Sequence, residues 1–214
     1  METFADRTSA GRALAGLLQK RKLGLGGMVL GLPRGGVPVA LEVAKALGGT
    51  LDVWPVRKLG VPRQPELAMG AVAMGGGRYI NQRLLEALEI GEEELARVEA
   101  REREELQRRV ALYRGSKPLP QLEHRVVILV DDGLATGATV RAALDAVRRQ
   151  NPAQVVVAVP VAAPDSAEEL EQLADAVVAL LRPQDFRAVG QFYQDFPQVS
   201  DREVLEALAQ VRGG

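Results

Sequence analysis

The sequence predicts an α/β protein whose core is a parallel sheet flanked by helices, and three observations support this prediction. Short apolar segments alternate with helical patterns along the 214-residue chain, as is typical of parallel sheets. The segment Val126 to Val130 is apolar at every position, as expected for a strand covered on both faces. With 47% hydrophobic residues and a net charge of -1, the chain can bury a substantial core as one domain with an appendage.

The first half of the chain is predicted to contain two strand-and-helix units followed by an excursion. The predicted elements are a helix over Asp6 to Lys22, a strand over Met28 to Leu32, a helix over Val37 to Leu47 and a strand over Leu51 to Arg57. The next segment, KLGVPRQPE, contains two prolines and is predicted to be a loop. LAMGAVAMGGGRYIN then indicates two short strands around the glycines at 75–77, a hairpin outside the main sheet.

The second half is predicted to return to alternating strands and helices. Gly91 to Arg114 has an acidic first turn, a basic last turn and a thin apolar stripe, which favours a solvated or dimer-packing helix. The predicted elements beyond it are the strand Val126 to Val130, the helix ATVRAALDAVRRQ, the strand Gln154 to Val161, the helix Asp165 to Leu173 and the strand Ala176 to Leu181. Pro183 to Pro197 has no regular pattern, and Ser200 with Glu203 forms a capping box before a terminal helix.

Composition and charge argue against several classes of protein. The absence of cysteine excludes disulfides and thiol chemistry, and a single histidine, His124, cannot form a histidine metal cluster. The apolar run LGLGGMVLGL is too short to span a bilayer and lacks signal-peptide order, so we expect a cytoplasmic protein without a membrane partner. Arginines are interleaved with glutamates, which disfavours polynucleotide binding without excluding it.

The segment VVILVDDGLATGAT, residues 126 to 139, outlines a site for a phosphorylated sugar. Ligands of parallel sheets bind beyond the carboxyl ends of the strands, where this segment carries Asp131 and Asp132. Gly133 and Gly137 permit close backbone approach, and the amino end of the following helix attracts an anion. The carboxylates would repel a phosphate, so we expect them to bind hydroxyls or a hard cation such as Mg²⁺. A diol, a metal and a phosphate suggest ribose 5-phosphate; an ordinary strand-to-helix turn with a threonine cap is the alternative.

Two further segments follow predicted strands at the same edge of the sheet. In PRGG, residues 33 to 36, two glycines allow backbone amides to surround an oxyanion, and Arg34 adds positive charge. Arg57 and Lys58 end the predicted second strand and could balance a highly anionic group, although exposed cations at a strand end are the simpler interpretation. The glycine run at 24–27 precedes its strand, unlike a dinucleotide-binding fingerprint, and the sequence has no P-loop motif.

The apolar strand, the acid pair and the short TGxT loop resemble the signature of the type I phosphoribosyltransferases, which bind 5-phosphoribosyl 1-pyrophosphate (PRPP). The resemblance implies a Rossmann-like sheet with a mobile loop or hairpin and a small hood formed by the chain ends. One domain would cover 1–214, with a core at about 25–182, an inserted hairpin and charged helix at 60–117, and a hood from 1–24 and 183–214. Residues 59–80 occupy the position of the family's mobile loop, in which Arg63 and Glu66 receive no assigned role.

The resemblance also implies a role for each motif. The 5-phosphate would be held by Ala135, Thr136, Gly137, Ala138 and Thr139, and the pyrophosphate by Arg34, Gly35, Gly36, Arg57 and Lys58. Asp131 and Asp132 would bind the ribose hydroxyls and, through water, the Mg²⁺ cofactor, and together with Lys58 they are the expected catalytic residues. Family members commonly have a non-proline cis peptide in the pyrophosphate loop, for which the bond between Arg34 and Gly35 is the matching position.

The reaction implied is displacement of pyrophosphate from ribose C1 by a nitrogen nucleophile, with a nucleobase-like small molecule as the acceptor. Phe186, Phe192 and Tyr193, with Phe196 nearby, suit a planar base, although anchoring of the tail explains each ring equally well. Ala135 stands where 6-oxopurine enzymes carry an aspartate, which disfavours hypoxanthine and guanine. The alternatives are a PRPP-sensing regulator of transcription or RNA and a sugar-phosphate binding module without turnover; a homodimer is compatible with the sequence.

Overall fold

The computed structural model describes residues 3–212 and contains two sheets. A five-stranded parallel sheet has the order β2-β1-β6-β7-β8, and a separate antiparallel sheet has the order β3-β4-β5. The strands are β1 (Met28–Gly31), β2 (Thr50–Val53), β3 (Val56–Val61), β4 (Gln64–Ala73), β5 (Arg78–Ile80), β6 (Val126–Val130), β7 (Gln154–Val161) and β8 (Ala176–Leu181). The predicted α/β class with a parallel sheet is therefore confirmed.

Helices cover both faces of the parallel sheet. They are α1 (Arg7–Lys20), α2 (Gly36–Leu47), α3 (Gln82–Ala87), α4 (Glu92–Arg114), α5 (Ala138–Arg148), α6 (Pro164–Glu171) and α7 (Asp201–Arg212). One face packs against α1, α2 and α7, and the other packs against α5, α6 and the antiparallel sheet. Because β6 lies at the centre between these two layers, Ile128 and Leu129 are both buried while facing opposite sides.

The antiparallel sheet corrects two predictions for residues 51 to 66. The predicted strand Leu51 to Arg57 divides at Trp54-Pro55: β2 ends at Val53 in the parallel sheet, and β3 begins at Val56 in the other sheet. KLGVPRQPE is a hairpin instead of a loop, since Val61 pairs with Gln64 around a two-residue turn. Its prolines are tolerated because one lies in the turn and the other lies where β4 has no second neighbour, beyond its pairing with β5.

Helix α4 covers the antiparallel sheet of its own chain. The helix begins at Glu92, one residue after the predicted start, and ends at Arg114 as predicted, but its apolar stripe packs within the same chain. Leu95, Val98 and Leu106 are buried in one cluster with Leu59 and Met69 of the sheet. The interpretation of α4 as a solvated or dimer-packing helix is therefore wrong for this face, because the sheet that it covers was predicted only in part.

The two chain ends meet beyond the carboxyl edge of the parallel sheet. Phe4 pairs with Tyr193 in an isolated bridge, supported by the bond from the Phe4 N–H to the Phe192 carbonyl at 2.8 Å. As predicted, the capping box forms at the start of α7, where the Ser200 N–H donates to Glu203 at 2.7 Å. In residues 3–212, no helix has the combined length and apolarity that crossing a bilayer requires.

Candidate functional site

The site lies where the connections of the parallel sheet diverge. β1 and β6 are neighbours, with Leu30 opposite Leu129, yet α2 leads from β1 to one side of the sheet and α5 leads from β6 to the other. Such a divergence opens a crevice beyond the carboxyl ends of the two strands. The bond from the Leu32 N–H to the Val130 carbonyl at 2.9 Å continues the pairing, so the PRGG loop and the acid pair leave the sheet side by side.

Two glycines allow the PRGG loop to touch the acid pair. A Cβ at Gly35 would lie 2.0 Å from Oδ2 of Asp132, and a Cβ at Gly36 would lie 2.6 Å from the Val130 carbonyl oxygen. No side chain larger than hydrogen fits at either position without displacing these groups. The cis peptide of this loop joins Pro33 and Arg34, so the expectation for the Arg34–Gly35 bond is wrong by one residue. Tertiary contacts select such bonds, and local sequence does not identify them.

The acid pair is half-buried and asymmetric. Burial raises the pKa of Asp131 well above its ordinary value, and the Asp132 carboxylate raises it further, while Arg7 and Lys58 act in the opposite direction. Burial also raises the pKa of Asp132, against the effect of Arg7, whose Nε lies 2.8 Å from Oδ2. The Asp132 N–H donates to Oδ1 of Asp131 at 2.9 Å, which orients that carboxylate. Two half-buried carboxylates side by side favour a cation or hydroxyl donors as ligands.

The TGxT loop is fixed by its neighbours and opens onto the start of α5. Leu134 bridges to Ala162 beyond the end of β7, and the Ser166 hydroxyl of α6 donates to the Ala135 carbonyl. Gly137 has φ 73°, a conformation that favours glycine. The first N–H groups of a helix lack partners within the helix, so residues 136–139 present donors together with the positive end of the dipole. The loop has the construction of an anion site.

The predicted cations separate in the structure. Arg57 and Lys58 lie in β3, not at the end of the second strand of the parallel sheet, and strand alternation directs them to opposite faces. Nε and Nη2 of Arg57 lie 2.9 and 2.6 Å from Oε2 of Glu102 on α4. Lys58 is exposed, and its charge acts to lower the pKa of Asp131 against the larger effect of burial. Nη1 of Arg34 lies 3.9 Å from Oδ1 of Asp201 at the start of α7.

The aromatic residues of the tail divide into anchors and open rings. Phe192 and Tyr193 are buried, whereas Phe186 and Phe196 are half-buried. The Tyr193 hydroxyl donates to the Asp132 carbonyl oxygen at 2.6 Å, and burial raises the pKa of Tyr193, which keeps this donor protonated. Phe186 stacks on Phe192, and Phe196 stacks on Tyr193, with centroids 5.6 and 4.7 Å apart. The tail therefore reaches the acid pair through Tyr193 and leaves two rings partly accessible.

Two arginines at the site were not found from the sequence. Arg7 bonds to Asp132 and lies in the first turn of α1, where a positive charge opposes the helix dipole; that misplaced charge is the signal that could have identified it. Arg141 of α5 pairs with Glu169 and lies 5.0 Å from the centroid of Tyr79, beside Gly137 of the phosphate loop. Arg141 stands at an ordinary position of an amphipathic helix, so the sequence gives no sign that it lies at the site.

The sheet order and the crevice where the connections diverge define an α/β protein with a ligand crevice at the carboxyl edge of its parallel sheet. Residues 71–196, more than half of the chain, match the family model of the phosphoribosyl transferase domain. The chain therefore belongs to the phosphoribosyl transferase domain family, as its resemblance to the type I enzymes indicates.

Relatives and solved structures agree with this family. A Mycobacterium tuberculosis H37Rv protein with the provisional name phosphoribosyl transferase is 46% identical over 208 residues, or 97% of this chain and 47% of that protein. The chain thus spans about half the length of this relative. The crystal structure of TT1426 from Thermus thermophilus has a TM-score of 0.80 and 47% identity, covering 98% of this chain and 99% of that chain. AQ2163 from Aquifex aeolicus, at 14% identity and a TM-score of 0.50, shares the fold over 94% of this chain and 86% of that chain.

Proposed function

We propose that the protein transfers the 5-phosphoribosyl group of PRPP to a nitrogen acceptor and releases pyrophosphate. One observation carries this proposal: the PRGG loop touches the acid pair through Gly35, while the TGxT loop and the start of α5 follow that pair directly. A pyrophosphate site, a hydroxyl-binding acid pair and a phosphate site thus adjoin one another. This is the set of groups that a ribose phosphorylated at both ends requires.

Each part of the proposed site has a defined task. Residues 135–139 hold the 5-phosphate through backbone amides and threonine hydroxyls. Asp131 and Asp132 bind the ribose hydroxyls, and Arg34, Gly35, Gly36 and Lys58 surround the pyrophosphate. Arg57 is left out of this set because Glu102 holds its guanidinium against α4.

The donor set fits a Mg²⁺ ion shared with the substrate. In residues 3–212 no group of three or more His, Cys, Asp or Glu side chains is arranged to hold a metal, so a complete protein cage is lacking there. Mg²⁺ commonly keeps several waters and binds through one or two carboxylates together with substrate phosphates, which Asp131 and Asp132 could provide through water. When bound, the ion would neutralise charge on the leaving pyrophosphate.

Catalysis would depend on positioning and charge. As the bond from ribose C1 to the pyrophosphate breaks, positive charge develops on the sugar, and the Asp131 and Asp132 carboxylates would stabilise that charge. Lys58 and Arg34 balance the departing anion, while the nitrogen of the acceptor forms the new bond to C1. The partly accessible ring of Phe186 suits a planar nucleobase, whereas Phe196 is covered by Arg7 and Tyr193. Ala135 offers no carboxylate to a 6-oxopurine, so adenine-like or pyrimidine acceptors are favoured.

The structure gives little support to a nucleic-acid regulator. Three arginines of α4 are paired: Arg103 with Glu99, and Arg108 and Arg109 with Glu105, at 2.7 to 2.8 Å. A basic face that is already neutralised attracts a polynucleotide weakly. We therefore rank the regulator below the enzyme.

Titration calorimetry of PRPP with Mg²⁺ tests the proposal directly, with wild type, Asp132→Asn and Glu206→Gln compared. Glu206 is exposed on α7 and loses a carboxylate in the same way. We expect Mg²⁺-dependent binding that weakens at least about tenfold in Asp132→Asn alone. Pyrophosphate release is then measured across nucleobases. Release with one class of base supports the transferase, binding without any release assigns a PRPP sensor, and the absence of Mg²⁺-dependent binding rejects the site.

A further inference from the structure

Arg7 joins the two chain ends to the acid pair, and nothing in the motif pattern assigns it a role. We propose that Arg7 is a positioning residue of the PRPP site, one that fixes the Asp132 carboxylate and thereby makes the two chain ends part of the ribose-binding surface. This inference rests on the proposed function and adds a residue to it from outside the motifs.

The contacts of Arg7 reach three separate segments. Its Nε lies 2.8 Å from Oδ2 of Asp132, its Nη1 donates to the Pro197 carbonyl oxygen at 2.7 Å, and its guanidinium lies 3.7 Å from the centroid of Phe196. The side chains of Arg7 and Asp132 are 10% and 16% exposed. At this degree of burial, a charged hydrogen bond is stronger than at the surface and is only weakly screened by salt.

Asp132 is held from several directions. Oδ2 faces Arg7 and lies against Gly35, and the backbone carbonyl of Asp132 accepts the Tyr193 hydroxyl at 2.6 Å. The bond from Arg7 is made to Oδ2 and leaves the second carboxylate oxygen, Oδ1, outside that contact. Arg7 thus occupies one oxygen and orients the other, which suits it to accept a ribose hydroxyl.

The position of Arg7 also points to the site. A positive charge in the first turn of a helix is unfavourable with respect to the helix dipole, and burial of a guanidinium adds a desolvation cost. The contact with Asp132 offsets both effects. If Arg7 only anchored the tail, its contacts with Pro197 and Phe196 would be enough. Arg7 also binds the carboxylate of Asp132, which belongs to the acid pair.

The test compares two ligands on matched variants. Arg7→Met removes the guanidinium, Arg7→Lys retains a charge, and Arg12→Met is the control on the same helix, where Arg12 is 71% exposed and pairs with Glu42. Calorimetry measures the affinity for PRPP with Mg²⁺ and for inorganic pyrophosphate with Mg²⁺, because pyrophosphate has no ribose. Thermal unfolding is followed by fluorescence of Trp54, the single tryptophan, which is fully buried.

We expect Arg7→Met to weaken PRPP binding about tenfold or more and pyrophosphate binding less than about threefold. Arg7→Lys should recover part of the loss, and Arg12→Met should match wild type. Tyr193→Phe, which keeps the ring and removes the donor to Asp132, should weaken PRPP binding several-fold with pyrophosphate binding unchanged. This variant tests the inference even where Arg7→Met fails to fold.

Two outcomes would overturn the inference. One is PRPP affinity in Arg7→Met within about twofold of wild type. The other is an equal loss of affinity for PRPP and for pyrophosphate in Arg7→Met, with a lowered Tm and no recovery in Arg7→Lys. A purely structural anchor would behave in this way. Wild-type protein that fails to bind PRPP rejects the proposed function itself, so the two failures are told apart by the wild-type titration.

Discussion

The contact between Gly35 and Asp132 predicts that Gly35→Ala damages the site without damaging the fold. Gly35 has φ -61° and ψ -33°, a conformation that alanine adopts readily, so steric contact is the only obstacle. The added Cβ would lie 2.0 Å from Oδ2 and 2.7 Å from Cγ of Asp132, whereas real Cβ contacts essentially never fall under 3.0 Å. The carboxylate must therefore move by about 1 Å, away from the position in which Arg7 holds it.

A displacement of about 1 Å in a positioned group can lower activity about 100-fold. We expect Gly35→Ala to lose a factor of that order in the pyrophosphate-release assay, and to weaken PRPP binding measured by calorimetry. The fold should persist, because the clash involves a side chain at the edge of the site and not the core. Gly16→Ala is the control, since a Cβ at Gly16 meets no atom within 4 Å. Activity of Gly35→Ala within about threefold of wild type would refute the reasoning.

Three further predictions concern stability. Gly16→Ala in the middle of α1 should stabilise the protein by about 0.5–1 kcal/mol and raise the Tm by about 1–4 °C; an unchanged or lower Tm would contradict this. Gly77→Ala should destabilise by about 1–3 kcal/mol in urea unfolding, because its Cβ would lie 2.1 Å from the Ala142 carbonyl oxygen of α5; a wild-type midpoint would show that the turn shifts freely. Arg108 and Arg109 lower the pKa of Glu105 to about 2 from 4.5. The carboxylate therefore stabilises the fold above pH 4.5, and this contribution is lost as the pH falls through about 2. Glu105→Gln should thus lower the Tm slightly at pH 7 and not at pH 2, and an equal difference at both pH values would be inconsistent with this explanation.

The parallel sheet could be predicted well from the sequence because its strands are buried on both faces. β6, β7 and β8 have the predicted bounds, and the apolar runs of β6 and β8 end where the charged residues Asp131 and Arg182 begin. The antiparallel sheet was less predictable. The division at Trp54-Pro55 and the hairpin at 61–64 depend on pairing between segments, which outweighs the local preference of prolines for loops.

The motifs that adjoin the site could be predicted because each follows a strand directly. The residues that orient them could not, since Arg7 and Asp132 are separated by 125 positions and Tyr193 and Asp132 by 61. The pairing of Arg57 with Glu102 is of the same kind, across 45 positions. A local pattern identifies the residue types at the end of a strand. It does not identify the distant residues that bind them, because only folding brings those residues together.

The bridge between Phe4 and Tyr193 determines how late in synthesis the surroundings of Asp132 can form. During synthesis Phe4 and Arg7 leave the ribosome long before their partners Tyr193, Phe196 and Pro197, the last of which lies 190 positions after Arg7. The central strands could pair while translation continues. The surroundings of Asp132 would therefore stay incomplete until Pro197 had emerged, long after Asp132 itself and the strands that position it.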